Sequence, residues 1–516
     1  MEPVATTTGA GAKRQPTGWR GNIYPATVLA LVFIITHIVM VYQATGPGRS
    51  GSTDVALYAW WVQQGQVTGG WIGINAPFVY PVGALVPMLI AAIFGTVGHY
   101  MATWCWMVAA INLATTAIAV KAVGLARAAI PMAGWFIFLT ALGPSGITRL
   151  DAVMMPLVLI ALLLMAPMVP PPASDSPPSR SVTPRHRGAA DQLKPPTVRS
   201  GGFRTTHPVW ASCLITLSAW LKVAGGASII PLFCVIRGWR QRLLSVVLPA
   251  GLTCAAVILI QRLAGGSWTV LTSFVRTESD RGLQIEAVLA TPAVLAHLIR
   301  GEQIWQYNQA LGTSETWGLG AEIALHVSDW MMPLAVLAVG VLCWLARRSG
   351  IDTLLLGTLA ILTGLIVFHK VGSPQFVAWC APPVVVAWCL QRPGRLWFPT
   401  GLLLLVSAVF TGALYPWGYM GFLGGEPFWI ALWVIRNLIT AGIFAWAMTE
   451  LFGLARAGRR LALAEARSAA AISPAETAIS PAEEPSQADL AEVGEPGGRH
   501  RALENPPPTD AGPGTA

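Results

Sequence analysis

Long apolar stretches separated by short polar connections run through most of this chain. The first, 23–42, holds about 20 residues, which is enough for one helix to cross a bilayer. No small-residue cleavage site follows it closely, so we predict a retained helix rather than a signal peptide. The stretches that we predict as spans are 23–43, 77–97, 101–121, 131–143, 150–168, 207–222, 225–237, 243–262, 327–346, 352–369, 374–391, 396–414 and 428–453. This pattern predicts an all-α polytopic membrane protein.

Composition supports the same class. Of 516 residues, 54% are hydrophobic and 11% are charged, whereas soluble domains carry about 25% charged residues. Many of the 22 tryptophans lie near the ends of apolar stretches, as is typical of side chains at the membrane interface. The seven cysteines lie in apolar stretches without a Cys-x-x-Cys pair, which favours neither a disulfide framework nor a zinc site.

Basic residues indicate the orientation. The net charge of +9 comes from arginine and lysine clustered in a few connections, so we interpret it as a topology signal and predict no nucleic-acid partner. The segments predicted to be cytoplasmic are 1–22, 169–206, 237–242, 347–348, 392–395 and 456–460. Both termini are then cytoplasmic, and the connections 44–76, 263–326 and 415–427 face outward.

The stretches before residue 169 do not fit this alternation. Five spans cannot join a cytoplasmic N-terminus to a cytoplasmic connection, so one of them must be re-entrant or two must merge. We suspect the short stretch 131–143. The estimate is about 12 crossings.

The same pattern predicts the domain organisation. A cytoplasmic N-terminus, 1–22, precedes an N-terminal membrane half, 23–168, whose first outer loop is 44–76; the C-terminal membrane half, 207–457, holds the outer loop 263–326. We predict that the Pro-rich loop 169–206 and the tail 458–516 are disordered and cytoplasmic, because neither can bury a core.

Asp54 is the leading candidate for chemistry. It follows the first span within a polar stretch, and Tyr58 lies four residues later, on the same face of a helix. A carboxylate placed where the chain leaves the bilayer can act as a base on a lipid-linked substrate. The alternative is that Asp54 only caps the helix that follows, and the two roles are compatible.

Other polar residues near the predicted outer ends of the spans also require a reason, because they are costly at membrane depth. They are isolated and of mixed sign, whereas the predicted inner charges are runs of arginine. The candidates are Tyr80, Arg149, Asp151, Lys222, Arg281, Glu286, His369, Lys370 and Gln375. This asymmetry predicts an active site at the outer leaflet.

For several of these candidates the alternatives stay open. Lys222 ends an apolar stretch and is either functional or a lysine that extends to the interface. Arg149 and Asp151 either serve a site or form a self-contained ion pair.

The remaining basic candidates are equally open. His369 and Lys370 precede a helix break, where they form either an anion site or an interfacial anchor. Arg281 either binds phosphate or pairs with Asp280 or Glu286.

The order of these residues resembles a known pattern. The matching segments are Thr53-Asp54-Val55-(x)2-Tyr58, Phe78-Val79-Tyr80-Pro81-Val82-Gly83-Ala84-Leu85, Lys222, Lys370-Val371-Gly372-Ser373-Pro374-Gln375-Phe376-(x)2-Trp379, Tyr415-Pro416 and Arg436-Asn437. Together they resemble the GT-C class of membrane glycosyltransferases, and most of all glycosyltransferase family 87 of actinobacteria. That family includes polyprenol-phosphate-mannose-dependent mannosyltransferases and a related arabinofuranosyltransferase. Two segments depart from its pattern: Val82 stands where a second proline is common, and 148–151 replaces a Gly-Gln-x-Asn segment.

The resemblance implies a GT-C-like bundle in a bacterial plasma membrane and an inverting glycosyl transfer on its outer side. The sugar, mannose ranked before arabinose, would pass from a polyprenyl-phosphate donor to a cell-envelope glycolipid or polysaccharide, with Asp54 as general base. The residues implied in donor-phosphate binding are Lys370, His369, Arg281 and Lys222. Those implied in substrate binding are Tyr58, Tyr80, Arg149, Asp151, Glu286 and Gln375. No metal or other cofactor is expected, in keeping with the lack of an Asp-x-Asp motif.

Two other readings compete with an enzyme. A transporter or flippase of a lipid-linked sugar predicts internal repeats and charges near the membrane midplane, and the sequence displays neither pattern. A scaffolding membrane protein would use the 169–206 loop and the tail, and it leaves Asp54 unexplained.

Overall fold

The computed structural model describes residues 20–46, 53–168, 205–279, 281–309, 312–392 and 396–476. The chain divides into two compact units, 1–461 and 462–516. The described part of the second unit is the end of one long helix.

Helices account for most of the described chain. In chain order they are α1 (Arg20–Thr45), α2 (Thr53–Thr68), α3 (Leu85–Ala91), α4 (Tyr100–Val123), α5 (Leu125–Ala141), α6 (Ser145–Thr148), α7 (Asp151–Leu163), α8 (Pro208–Leu221), α9 (Ile229–Val235), α10 (Trp239–Arg242), α11 (Leu248–Leu263), α12 (Trp268–Leu271), α13 (Ser273–Ser279), α14 (Thr291–Arg300), α15 (Leu319–Ala346), α16 (Ile351–Val367), α17 (Ala381–Cys389), α18 (Trp397–Gly412), α19 (Tyr419–Leu423) and α20 (Pro427–Glu476). Short 3-10 turns extend several of them, at Val82–Ala84, Ala166–Met168, Val223–Ser228, Val288–Ala290, Arg347–Ser349 and Pro374–Cys380. Two π-helical turns occur at Leu243–Val247 and Ala413–Gly418.

Seven helices of the described chain are long and apolar enough to cross a membrane: Ile23–Thr45, Tyr100–Val123, Asp151–Met168, Trp239–Leu263, Leu319–Ser349, Trp397–Leu423 and Pro427–Ala464. Shorter apolar helices lie between them, at Val82–Ala91, Leu125–Ala141, Pro208–Leu221, Val223–Val235, Val288–Arg300, Ile351–Val367 and Pro374–Cys389. The prediction of a helical polytopic membrane protein is confirmed at this level.

Large apolar side chains remain exposed along the helix surfaces. On α1, Ile34 and Ile38 are more than half exposed, as are Leu259 and Ile260 on α11. Soluble monomers rarely expose apolar patches of this extent, whereas a bilayer stabilises such a surface.

Neighbouring helices run in opposite directions. Lys222, just after α8, meets Asp151 at the start of α7, while at their other ends the His207 N–H donates to the carbonyl of Leu164 at 3.1 Å. Helices α15 and α16 are tied in the same way, since the Ser328 hydroxyl donates to the Phe368 carbonyl at 2.6 Å. This arrangement brings the N-terminus of α7 and the C-termini of α8 and α16 to one end of the bundle.

Two predicted boundaries differ from the structure. The stretch suspected of being re-entrant, 131–143, belongs to the 17-residue helix α5, and the shorter piece is Val82–Ala91. Helix α20 continues past 458 to Glu476, since the segment 459–471 is rich in alanine, leucine, arginine and glutamate, which favour helix. The disorder predicted for 169–204 and 477–516 falls outside the described residues.

The predicted outer loop 263–326 is largely folded. It holds α12, α13, α14 and a two-stranded antiparallel hairpin, β1 (Gln306–Asn308) paired with β2 (Thr313–Glu315). Leu283, Ile285 and Ala287 are buried in a separate apolar cluster with Phe422 and Trp433. The segment 281–287 is therefore held against the helix bundle.

A hydrogen-bonded chain joins α1, α4 and α5 within the bundle. His37 Nδ1 lies 2.8 Å from the Phe33 carbonyl, which can only accept, so Nδ1 carries the proton. His37 Nε2 then accepts from the Asn112 amide at 3.1 Å, and the Trp135 indole donates to Asn112 Oδ1 at 3.2 Å. Each polar group is satisfied, as hydrocarbon surroundings require.

We expect Asn112→Ala to destabilise the protein by about 1–2 kcal/mol, because it leaves His37 and Trp135 each without a partner. Thermal unfolding in detergent, followed by tryptophan fluorescence, measures the loss. The double variant His37→Phe/Asn112→Leu removes both polar partners. It should lose less stability than the sum of the losses in His37→Phe and Asn112→Leu alone. Additive losses would show that the two side chains do not act as a unit.

Candidate functional site

At one end of the bundle, two ion pairs each join residues from segments far apart in the chain. Arg149 binds Asp54 of α2 through Nη1 and Oδ2, and Lys222 binds Asp151. Arg149 and Asp151 are two residues apart, yet each pairs with a distant partner. The alternative of a self-contained Arg149–Asp151 pair is therefore wrong, because helix α7 begins between them and turns their side chains apart.

Asp54 lies in the first turn of α2, which begins at Thr53. The Tyr58 hydroxyl, four residues on, is 3.5 Å from the same Oδ2 that Arg149 binds, so this contact is at the long limit of a hydrogen bond. Oδ1 has no partner among the described residues, and the side chain keeps 18% of its accessible surface. Arg149 thus holds one carboxylate oxygen, and no described residue occupies the other.

Asp151 has the opposite environment. Its side chain is only 2% exposed, and it accepts from Lys222 Nζ at 3.2 and 3.4 Å and from the Trp379 indole at 2.5 Å. Lys222 Nζ also lies 4.5 Å from the centre of the Phe376 ring. The lysine points into the protein, so the alternative of a lysine extending to the interface is wrong.

Tyr80 lies near the Asp54 pair, because Trp61 contacts both the Tyr80 ring and the Tyr58 ring. Burial raises the pKa of the Tyr80 hydroxyl well above the ordinary value, with further upward contributions from Asp54 and Asp151, while Arg149 and Arg281 act in the opposite direction. The two ion pairs and Tyr80 form one polar neighbourhood. Tyr80 therefore stays protonated and can donate a hydrogen bond.

A second basic group adjoins this neighbourhood. The Lys370 ammonium donates to the Ser279 carbonyl at 2.8 Å, and Arg281 Nε lies 3.2 Å from Glu278. Glu278 also faces His369 Nε2 at 3.6 Å. Arg281 therefore pairs with Glu278 rather than with Glu286, and Asp280, the other partner considered, lies outside the described residues.

His369 is a poor cation at neutral pH. Burial lowers its pKa below the ordinary value, although Glu278 opposes this effect. Its Nδ1 accepts from the Val371 N–H at 2.9 Å, which leaves the proton on Nε2. The imidazole is thus a neutral donor that helps to order the turn after α16.

Glu286 and Gln375 have no described contact with Asp54 or with either ion pair. The Tyr419 hydroxyl donates to Glu286 Oε1 at 2.7 Å, and Arg436 Nη2 donates to the Glu286 carbonyl at 2.9 Å. Burial raises the pKa of Glu286, although the Tyr419 hydrogen bond partly opposes the shift. Gln375 is buried, and its Oε1 has no described partner.

An apolar cavity of about 900 Å³ opens beside the polar groups. Helices α3, α4, α8 and α11 form its walls, and Gly83, Val153 and Leu221 line it within three residues of Tyr80, Asp151 and Lys222. The turn at Gly83 packs so closely that a Cβ there would be 2.7 Å from the Trp220 carbonyl oxygen. Segments that carry polar residues of the site therefore also contribute to the wall of the cavity.

The sequence analysis did not identify two residues that contribute to the site. Trp379 fixes Asp151, and Glu278 positions both Arg281 and His369. Trp379 stands in the Lys370–Trp379 segment, but its donor role required knowledge of a partner far along the chain. In the described part of the chain, no group of three or more His, Cys, Asp or Glu side chains could hold a metal ion. That the protein needs no metal stays a prediction.

We expect Lys222→Gln to destabilise the protein by about 3–5 kcal/mol, because it leaves the buried carboxylate of Asp151 uncompensated. Thermal unfolding in detergent measures the loss. The double variant Lys222→Gln/Asp151→Asn removes both charges and should recover much of that stability, whereas an equal or larger loss would contradict a coupled pair.

Comparison of the chain with known proteins found no matching family model, no matching curated protein and no matching solved structure. The family resemblance described above thus stays a prediction, and the functional argument depends on the geometry.

Proposed function

We propose that the protein is an inverting glycosyltransferase of the GT-C type that uses a polyprenyl-phosphate sugar. It transfers the sugar, mannose ranked before arabinose, to a hydroxyl of a cell-envelope glycolipid or polysaccharide. The observation that carries this proposal is the carboxylate of Asp54, which Arg149 holds through one oxygen while the other has no partner among the described residues. An apolar cavity whose wall includes Gly83, Val153 and Leu221, close in sequence to Tyr80, Asp151 and Lys222, supports it.

Asp54 is the general base because its environment leaves it able to accept a proton. Asp151 has both oxygens occupied and is almost fully buried, so it acts as a positioning residue. Asp54 has Oδ1 open, and Arg149 fixes its orientation through Oδ2. The acceptor hydroxyl gives its proton to Oδ1 as its oxygen attacks the anomeric carbon from the face opposite the leaving group.

The leaving group requires fixed positive charge. As the bond from the anomeric carbon to the phosphate oxygen breaks, its electron pair stays on the polyprenyl phosphate. Arg281 and Lys370 suit this role, since among the described residues Lys370 is bound through one carbonyl and Arg281 through Nε. Lys222 is bound to Asp151 and orients the site, and His369 contributes an N–H rather than a charge.

The apolar cavity supports a lipid-linked donor. Its wall is almost wholly apolar, residues of α4 and α11 line it, and Gly83 and Leu221 in that wall are close in sequence to Tyr80 and Lys222. An isoprenoid chain is a good match for such a surface, and its phosphate would then lie at the polar cluster.

The proposal includes a membrane arrangement. With the shorter apolar helices counted, and with Val82–Ala91 and the outer-loop helix Val288–Arg300 not crossing, 12 helices cross a bacterial plasma membrane, which agrees with cytoplasmic termini. The polar cluster then lies on the outer side, and the arginines near 237 and 347 lie on the cytoplasmic side.

Asp54→Asn should lower sugar transfer by about 10²- to 10⁴-fold, because the amide cannot take the proton. Purified wild type and variant are assayed with radiolabelled decaprenyl-phosphate-mannose and, in parallel, decaprenyl-phosphate-arabinose on an envelope lipid extract. The matched control is Asp329→Asn, which neutralises an exposed aspartate on α15 and should keep full activity.

Unfolding temperatures of all three proteins establish that they are folded. Transfer by well-folded Asp54→Asn at the wild-type rate would remove Asp54 as the base. If wild type transfers neither sugar but moves a lipid-linked sugar across proteoliposomes, the transporter reading replaces this proposal.

Ala110→Trp should block the cavity, since Ala110 lines it from α4. We expect loss of transfer from a decaprenyl-phosphate sugar, with transfer from a donor of two isoprene units largely kept. Ala102→Trp, on an exposed part of the same helix outside the cavity, is the control. Equal activity of both variants on the long donor would place the lipid chain elsewhere.

A further inference from the structure

A second, polar cavity of about 640 Å³ lies at the other end of the bundle. Met165 and Met168 line it after α7, Pro208 lines it at the start of α8, and Ile351 lines it at the start of α16. On each of these helices the Asp54–Lys222 cluster adjoins the opposite end. This cavity is therefore separate from the candidate active site.

Arginines from three separate segments surround this cavity. Arg237 follows α9, Arg347 and Arg348 follow α15, and Arg392 follows α17. Asp352 is the one acidic residue among the described lining residues, and Arg392 binds it with both Nε (2.7 Å) and Nη2 (2.5 Å). This pair neutralises itself, so the remaining charged residues of the described cavity wall are all arginines, Arg237, Arg347 and Arg348.

The rest of the wall suits an anion. Gln241, Ser245 and Thr206 add neutral polar groups, and the cavity lies at the N-terminus of the 17-residue helix α16. Free N–H groups and the helix dipole at such an end favour negative charge, and the Arg392–Asp352 pair keeps Asp352 from opposing it.

Topology signals alone do not explain this gathering. The positive-inside pattern requires basic residues in the cytoplasmic connections. It does not require that residues from connections far apart in the chain line one cavity. Arginine is the side chain best suited to phosphate, because its planar fork donates two parallel hydrogen bonds.

We propose that this cavity binds a phosphate-bearing anion, independently of the glycosyltransferase proposal. The phosphate can belong to an anionic phospholipid headgroup at the membrane surface or to a water-soluble phosphorylated compound. The methionine and isoleucine part of the wall accommodates the apolar portion of either ligand.

The test uses the full chain purified in detergent. Native mass spectrometry compares retention of phosphatidylglycerol with that of zwitterionic phosphatidylcholine, and thermal shift measures the response to millimolar inorganic phosphate. The variant is Arg237→Gln/Arg347→Gln, and the matched control is Arg240→Gln, an exposed arginine on α10 that does not line the cavity.

A lipid headgroup is supported if wild type prefers phosphatidylglycerol to phosphatidylcholine by about tenfold. The double variant should lose this preference, and the control should keep it. Stabilisation by inorganic phosphate with the same dependence, without a lipid preference, supports a soluble ligand. Arg237→Gln alone, which changes an exposed side chain, replaces the double variant if the latter does not fold, and it should weaken binding about threefold. The proposal is overturned if wild type shows neither effect. It is also overturned if the cavity variants bind as well as wild type, or if Arg240→Gln loses as much binding as they do.

Discussion

The pairing of charges inside an apolar helix bundle is the constraint on which the rest of the structure depends. A buried carboxylate such as Asp151 is tolerable only with a cation and further hydrogen bonds, and Lys222 and Trp379 supply them. Arg149, two residues earlier, pairs with Asp54 instead. These crossed pairs join α2, the start of α7 and the end of α8, so the helix ends that carry the polar groups are held together.

The same pairing separates the roles of two carboxylates. Asp151 is saturated by its partners and serves to orient Lys222 and Trp379, whereas Oδ1 of Asp54 has no partner among the described residues. A reactive group next to a lipid-sized cavity is what chemistry on a lipid-linked substrate requires. In the proposed mechanism, the fold supplies position and charge, and Asp54 supplies the single proton acceptor.

The helices were predictable because span length and apolar composition are local properties, and each predicted stretch contains a helix. Isolated polar residues at one end also indicated the region of the site. Their partners were not predictable, because the pairs join residues 71 and 95 positions apart, and sequence spacing instead suggested Arg149 with Asp151. Whether 131–143 is re-entrant stays a prediction, because the helix that contains it and Val82–Ala91 are both short apolar helices.

The most direct measurement is an electron cryo-microscopy structure of Asp54→Asn bound to a polyprenyl-phosphate sugar. The account predicts the isoprenoid chain in the cavity lined by α4 and α11, the phosphate against Arg281 and Lys370, and the anomeric carbon facing residue 54 with room for one acceptor oxygen. The phosphate of the sugar donor bound only at the arginine-lined cavity at the other end, or residue 54 turned away from the sugar, would contradict it.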